Sequence, residues 1–120
     1  MAPILIIVAL NYYLSSLESV PSLDIVNFDK IVHTIFYIGV GVCLILFVIG
    51  INKQDSNLKY KLLVIVIFGS ILGVIDEYHQ SFVPGRSCDI LDWVADTSGI
   101  LISFIFINKI KKIVNRYYLK

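Results

Sequence analysis

Cysteine is scarce in this chain of 120 residues, with two in all, and neither a disulfide nor a metal finger follows from them. Cys43 stands about ten residues into an apolar stretch, roughly 15 Å along a helix from its polar end, whereas Cys88 is in a polar loop. No Cys-x-x-Cys spacing is present, and neither cysteine has a histidine at finger spacing. An excess of charge of one sign is also lacking: the net charge is +1, so the balance does not point to nucleic acid. Internal repeats and low-complexity tracts are absent. No basic segment precedes the first apolar run and no Ala-x-Ala cleavage site follows it, so Ile4–Leu10 reads as part of a retained first span rather than of a removed signal peptide.

Apolar side chains, by contrast, make up 58% of the sequence, with a mean hydropathy of +0.84. That is far above a soluble domain. A helix needs about 20 residues to cross about 30 Å of hydrocarbon. Four apolar segments, Pro3–Leu17, Ile31–Ile51, Leu62–Phe82 and Ile90–Asn108, predict an all-α integral membrane bundle of about four transmembrane helices, one domain over residues 1–120. The first segment is short and interrupted by Asn11. Glu18–Phe28, Asn52–Lys61 and Val83–Asp89 read as the connections.

Charge is segregated along this pattern. Lys53, Lys59, Lys61, Lys109, Lys111, Lys112, Arg116 and Lys120 fall on one side of the membrane, and only Lys30 and Arg86 on the other. The positive-inside rule makes the basic side cytoplasmic, with both termini there. The acids fall the other way: Glu18, Asp24, Asp29, Asp76, Glu77, Asp89, Asp92 and Asp96 face out, and only Asp55 faces in. In the tail, Ile110, Ile113, Val114, Tyr117 and Tyr118 interleave with the basic residues, as in a membrane-surface anchor. Gly69-x-x-x-Gly73 and Ala95-x-x-x-Gly99 are patterns that let helix backbones approach closely.

Several carboxylates must lie at membrane depth. The third segment is free of charge only from Leu62 to Ile75, about 21 Å of helix, so a full span continues through Asp76 and Glu77. The fourth is uncharged only after Asp96, so its span takes in Asp96 and Asp92. An ionised acid there costs on the order of 2.5 to 3.5 kcal/mol, which turns it towards the bundle interior or a wet cavity. Helical spacing gathers these groups into stripes: Asp89, Asp92 and Asp96 at i, i+3 and i+7, Asp76 and Gln80 four apart, and Asp29 and His33 four apart. The loop Pro84-Gly85-Arg86 joins two of the three helix ends concerned.

The succession Asp29-Lys30-x-x-His33, then Asp76-Glu77-x-x-Gln80-x-Phe82-x-Pro84-Gly85-Arg86, then Asp89-x-x-Asp92 and Gly99 resembles the VanZ-like family over nearly the whole chain. Asp96 departs from that pattern, which allows a neutral polar residue there, and so carries less weight as a site residue. The resemblance implies a helical membrane protein of the cell envelope. It also implies a link to antibiotic resistance, since the founding member is associated with resistance to the lipoglycopeptide teicoplanin; the resemblance implies no particular reaction.

The residues themselves allow chemistry. Arg86 can clamp a phosphate or carboxylate, and Asp76, Glu77 and His33 are the candidate catalytic groups for proton transfer. Gln80, Asp92, Asp29, Lys30 and Asp89 are the further binding candidates. The excess of acid over Lys30 and Arg86 also suits a divalent cation, with its identity and ligands left open. The partners expected are membrane lipids, an envelope lipid or lipid-tailed glycopeptide as ligand, and a helix-mediated oligomer. Plain structural roles stand beside these: Ser87 or Asp89 capping the fourth helix, Asp29 capping the second, Arg86 closing the loop on an aspartate, Gly85 supplying a turn and Trp93 marking the interface. His79, off the polar stripe, reads as an interfacial histidine. The alternative function is a non-enzymatic scaffold or partner subunit whose acids are structural and whose glycine face meets another membrane protein.

Overall fold

The computed structural model of the protein describes residues 2–16, 28–51 and 57–118, and helices make up nearly all of them. Glu18, Pro21, Asp24, Lys53, Asp55 and Lys120, which entered the reading of the connections and the tail, lie outside the described residues. Helix α1 runs Ala2–Ser15, α2 Phe28–Ile51, α3 Leu58–Gln80, α4 Ile90–Ser103 and α5 Ile107–Tyr118, with a 3-10 turn at Phe104–Phe106 between the last two.

Three stretches are long and apolar enough to cross a membrane: Phe28–Gly50, Leu58–Gln80 and, through the 3-10 turn, Ile90–Tyr117. Helix α1, at 14 residues, covers about 21 Å and is shorter than a usual span. The surface is the reverse of a soluble protein's. Ile35, Ile67, Phe68, Ile71, Val74, Ile75, Leu101 and Ile105 are exposed, while Asp76, Glu77, Gln80, Asp92, Asp96 and Ser103 are buried. Water would make that arrangement doubly unfavourable, and lipid makes it the stable one. The chain is a helical membrane bundle.

Helix ends differ from the sequence expectation for local reasons. Helix α3 begins at Leu58 rather than Leu62 because the Asn57 side chain accepts a hydrogen bond from the Lys59 amide at 3.1 Å, capping the helix ahead of its charged first turn. It ends at Gln80 rather than Phe82, where the amides of Ser81 and Phe82 fold back onto the carbonyls of Glu77 and His79. Helix α2 begins at Phe28 rather than Ile31 and so includes Asp29 and Lys30. Asp29 is therefore in the first turn and is not the cap. Beyond α4 the Ser103 hydroxyl donates to the Ile100 carbonyl at 2.6 Å, a back-bond of the kind that bends helices, and the 3-10 turn follows. Helicity then continues to Tyr118 instead of stopping at Asn108.

Helix α4 packs most extensively on α2 and next on α3. Glycines allow this. A Cβ added at Gly99 would stand 2.5 Å from the Thr34 carbonyl oxygen of α2, and one at Gly69 would stand 2.7 Å from Ile100 Cδ1 of α4. Gly41 of α2 has Ser103 of α4 in the space its own side chain would fill. The Gly69 and Gly73 face is thus used inside the chain, against α4, and is not open to a second membrane protein. The apolar core joins Tyr37, Val40, Leu44 and Ile45 of α2, Ile65 of α3 and Ile100 of α4 to Ile107, Ile110 and Val114. Ile110 and Val114, expected to lie on a membrane surface, pack into the protein instead, whereas Ile113 and Tyr117 remain exposed.

Candidate functional site

The polar ends of α2, α3 and α4 meet at one end of the bundle. Helix direction requires this: α2 and α4 start there and α3 finishes there, linked to α4 by residues 81–89. The basic residues at the start of α3 and along α5 are at the other end.

At the rim, Lys30 of α2 holds the start of α4. Its ammonium donates to Asp89 Oδ2 and Asp92 Oδ1, both at 2.8 Å, and less closely to Asp29 at 3.4 Å. Asp89 has three tasks. It caps α4 by accepting from the Leu91 amide at 2.9 Å, receives Lys30, and donates its own amide to Glu77 Oε2 at 2.9 Å. The Lys30 ammonium, helped by the Leu91 N–H, holds the Asp89 carboxyl below its usual value. Asp29 is at the margin, its side chain 59% exposed, and does not join His33 as their spacing suggested.

Deeper in, His33, Asp76, Glu77 and Asp96 each bring a donor atom to within 4.8 Å of the others. His33 Nδ1 is 2.8 Å from Asp96 Oδ1, a hydrogen bond that fixes the ring and leaves Nε2 for a proton or a ligand. Asp96, given less weight in the sequence reading, is wholly buried and stands within this cluster. Glu77 Oε1 and Asp96 Oδ2 have no hydrogen-bond partner.

Arg86 connects to this cluster at one remove. Its NH1 donates to Gln80 Oε1 at 3.3 Å, and Gln80 Nε2 donates to Asp76 Oδ2 at 3.2 Å. The Arg86 amide donates to the Val83 carbonyl at 3.1 Å, with Pro84 and Gly85 between them and Gly85 at φ +80°. Proline then glycine at positive φ is a type II turn, and it sets where the guanidinium points. Among the described residues no carboxylate stands within 4.0 Å of Arg86, so the loop is not closed by an arginine–aspartate pair.

Residues 4–112 match the protein family described as VanZ/LLP1. The chain belongs to the VanZ/LLP1 family. No curated protein and no solved structure matched it. The family match spans every site residue named above, from Asp29 to Asp96.

Other residues of this VanZ/LLP1 chain were not singled out from sequence as parts of the site. Tyr37 is buried with its hydroxyl unpaired. A cavity of about 20 Å³ between Tyr37 and Asn11 has room for one water. Tyr37 lies four residues after His33, one turn further along the same face, which is the signal that could have found it. Trp93, read as an interface marker, donates its indole N–H to Ser70 Oγ at 3.1 Å and to the Ser70 carbonyl at 3.2 Å, tying α4 to α3. His79 turns away from the cluster. Its ring stacks on Tyr12 at 4.4 Å between centroids, and Nε2 is 2.9 Å from Ser16 Oγ, so it docks the end of α1 on α3.

Proposed function

We propose that this VanZ/LLP1 chain is a multi-pass cell-membrane protein, both termini cytoplasmic, that binds or modifies the anionic headgroup of an envelope lipid or amphiphile at an outward-facing polar site. The observation that carries this is the pairing of Arg86 with the cluster behind it. A guanidinium at the rim keeps free donors for a phosphate or carboxylate, because its described partner is the neutral Gln80. Lys30, the other outer cation expected to bind, already serves Asp89 and Asp92 and is a structural clamp. Glu77 and His33, in the same cluster as Asp76 and Asp96, are the groups suited to moving protons on a headgroup held by Arg86. The basic end of the bundle carries Lys59, Lys61, Lys109, Lys111, Lys112 and Arg116, which by the positive-inside rule puts the polar site on the outer face.

On this reading the protein lowers sensitivity to lipoglycopeptides such as teicoplanin by altering the lipid they meet. The test compares teicoplanin sensitivity of a host lacking the protein with hosts expressing wild type, Arg86→Ala or Glu77→Gln at matched membrane levels. Protection by wild type and by neither variant is expected. Equal protection by all three would reduce the cluster to architecture and favour a scaffold, and no protection by wild type would sever the chain from lipoglycopeptide resistance.

A further inference from the structure

The buried cluster poses an electrostatic problem that its hydrogen bonds do not solve. Asp76, Glu77 and Asp96 come within 4.8 Å of one another. Ionised carboxylates that close repel one another strongly away from bulk water, and three of them make three such pairs. Neither Lys30 nor Arg86 pairs with them, since the described partners of Lys30 are Asp29, Asp89 and Asp92 and that of Arg86 is Gln80; His33 meets one of the three, Asp96, and leaves the other two without a cation.

The carboxylates are also held in a particular way. Glu77 accepts the Asp89 amide with Oε2 and leaves Oε1 without a partner. Asp96 meets His33 with Oδ1 and leaves Oδ2 without one. Both residues are almost fully buried, 4% and 0% exposed, so water does not satisfy these oxygens from bulk. Asp76 is gripped by Gln80 at 3.2 Å. For Glu77 and Asp76 the neighbour that fixes an oxygen, the Asp89 amide or the Gln80 side chain, stands outside the cluster, which is how second-shell partners orient the carboxylate ligands of a metal.

From this geometry we propose that His33, Asp76, Glu77 and Asp96 bind one divalent transition-metal ion, with Mn²⁺ and Zn²⁺ the chemical types that fit. Ligands on opposite sides of such an ion, each at about 2.1 Å, stand about 4.2 Å apart. A cluster with no pair beyond 4.8 Å closes on an ion by side-chain shifts of a fraction of an ångström. Three carboxylates and an imidazole suit Mn²⁺ or Zn²⁺, whereas Ca²⁺ takes six to eight oxygens. The ion offsets the mutual repulsion and occupies both orphaned oxygens. The inference goes beyond the headgroup reading, and it can hold or fail without it because metal retention is measured with no lipid substrate present.

The test uses the full chain purified in detergent micelles, stripped with chelator and dialysed against Mn²⁺ and, separately, Zn²⁺, with metal per chain counted by mass spectrometry. Wild type is expected to retain about one equivalent of at least one of the two ions and to gain thermal stability with it. Glu77→Gln and Asp96→Asn should each weaken retention roughly ten-fold or more and lose the stability gain. Asp55→Asn, an acid in the other connection, should behave as wild type, and far-UV circular dichroism reports whether each variant is folded. If either site variant fails to fold, the other and His33→Gln decide. Retention of neither ion by wild type overturns the proposal and leaves the acids sharing protons. Equal retention by folded site variants overturns it as well.

Discussion

Replacing Lys30 with methionine removes the one ammonium that joins α2 to α4 and keeps most of the apolar stem. Two short ion pairs are lost, to Asp89 and Asp92 at 2.8 Å each. They are not equal. The Asp92 side chain is 7% exposed and is left as a lone buried carboxylate, whereas Asp89 at 38% reaches solvent. Removing one partner of a buried pair costs about 3 to 5 kcal/mol, and an exposed pair is worth about 0 to 1. Because Lys30 itself is 20% exposed, the low end applies, and Lys30→Met should cost about 3 kcal/mol. Adding Asp92→Asn removes the stranded charge, so the double variant should recover most of that loss, a coupling of about 2 kcal/mol. The assay is reversible unfolding in mixed micelles, titrating sodium dodecyl sulfate into a mild detergent and following helicity, for wild type, both singles and the double. Neutral polar pairs between membrane helices average about 0.6 kcal/mol. A coupling no larger than that would refute the argument that Lys30 and Asp92 form a desolvated ion pair.

Two further outcomes follow from the same packing and charges. Gly99→Ala places a methyl group against the Thr34 carbonyl and Ile38 amide of α2, at 2.5 and 3.0 Å, where backbone cannot rotate away, and should cost about 1 to 3 kcal/mol in the same titration. Gly50→Ala meets nothing within 4 Å and should instead stabilise α2 by about 0.5 to 1 kcal/mol, so equal effects at the two positions would contradict the packing. The Asp89 carboxyl titrates below its usual 3.8 because Lys30 and the Leu91 amide favour the charged form, so its contribution is present above that value and lost as pH falls through the lowered one. Asp89→Asn should therefore flatten the acid limb of a stability–pH profile; an unchanged limb would show that the contact contributes nothing.

Much of the fold was legible because a membrane imposes a coarse rule. Apolar stretches long enough to span stand out in α2, in α3 and in α4 continued into α5, and charge segregation separates the two ends without knowledge of any contact. The polar stripes were legible too, since Asp89, Asp92 and Asp96 or Asp76 and Gln80 share a helix face by spacing alone. The helix ends were less so. Asn57 extends α3 into residues that look like loop, and α5 carries the basic tail on as helix, because capping and core packing of Ile110 and Val114 outweigh local polarity.

What the sequence by itself determined is therefore the membrane bundle, its acidic and basic ends, and which residues face inward on each helix. Only the tertiary structure decided who meets whom: His33 with Asp96 and not Asp29, Lys30 with Asp89 and Asp92, Glu77 with the Asp89 amide, and Arg86 with a neutral glutamine. The physical reason is that periodicity sets a side chain's direction within its own helix but not the rotation or height of the neighbouring one. Here those are set by backbone approach at Gly41, Gly69 and Gly99, where Ser103, Ile100 and Thr34 of the facing helices fill the space left by missing side chains and lock the three polar stripes into one cluster.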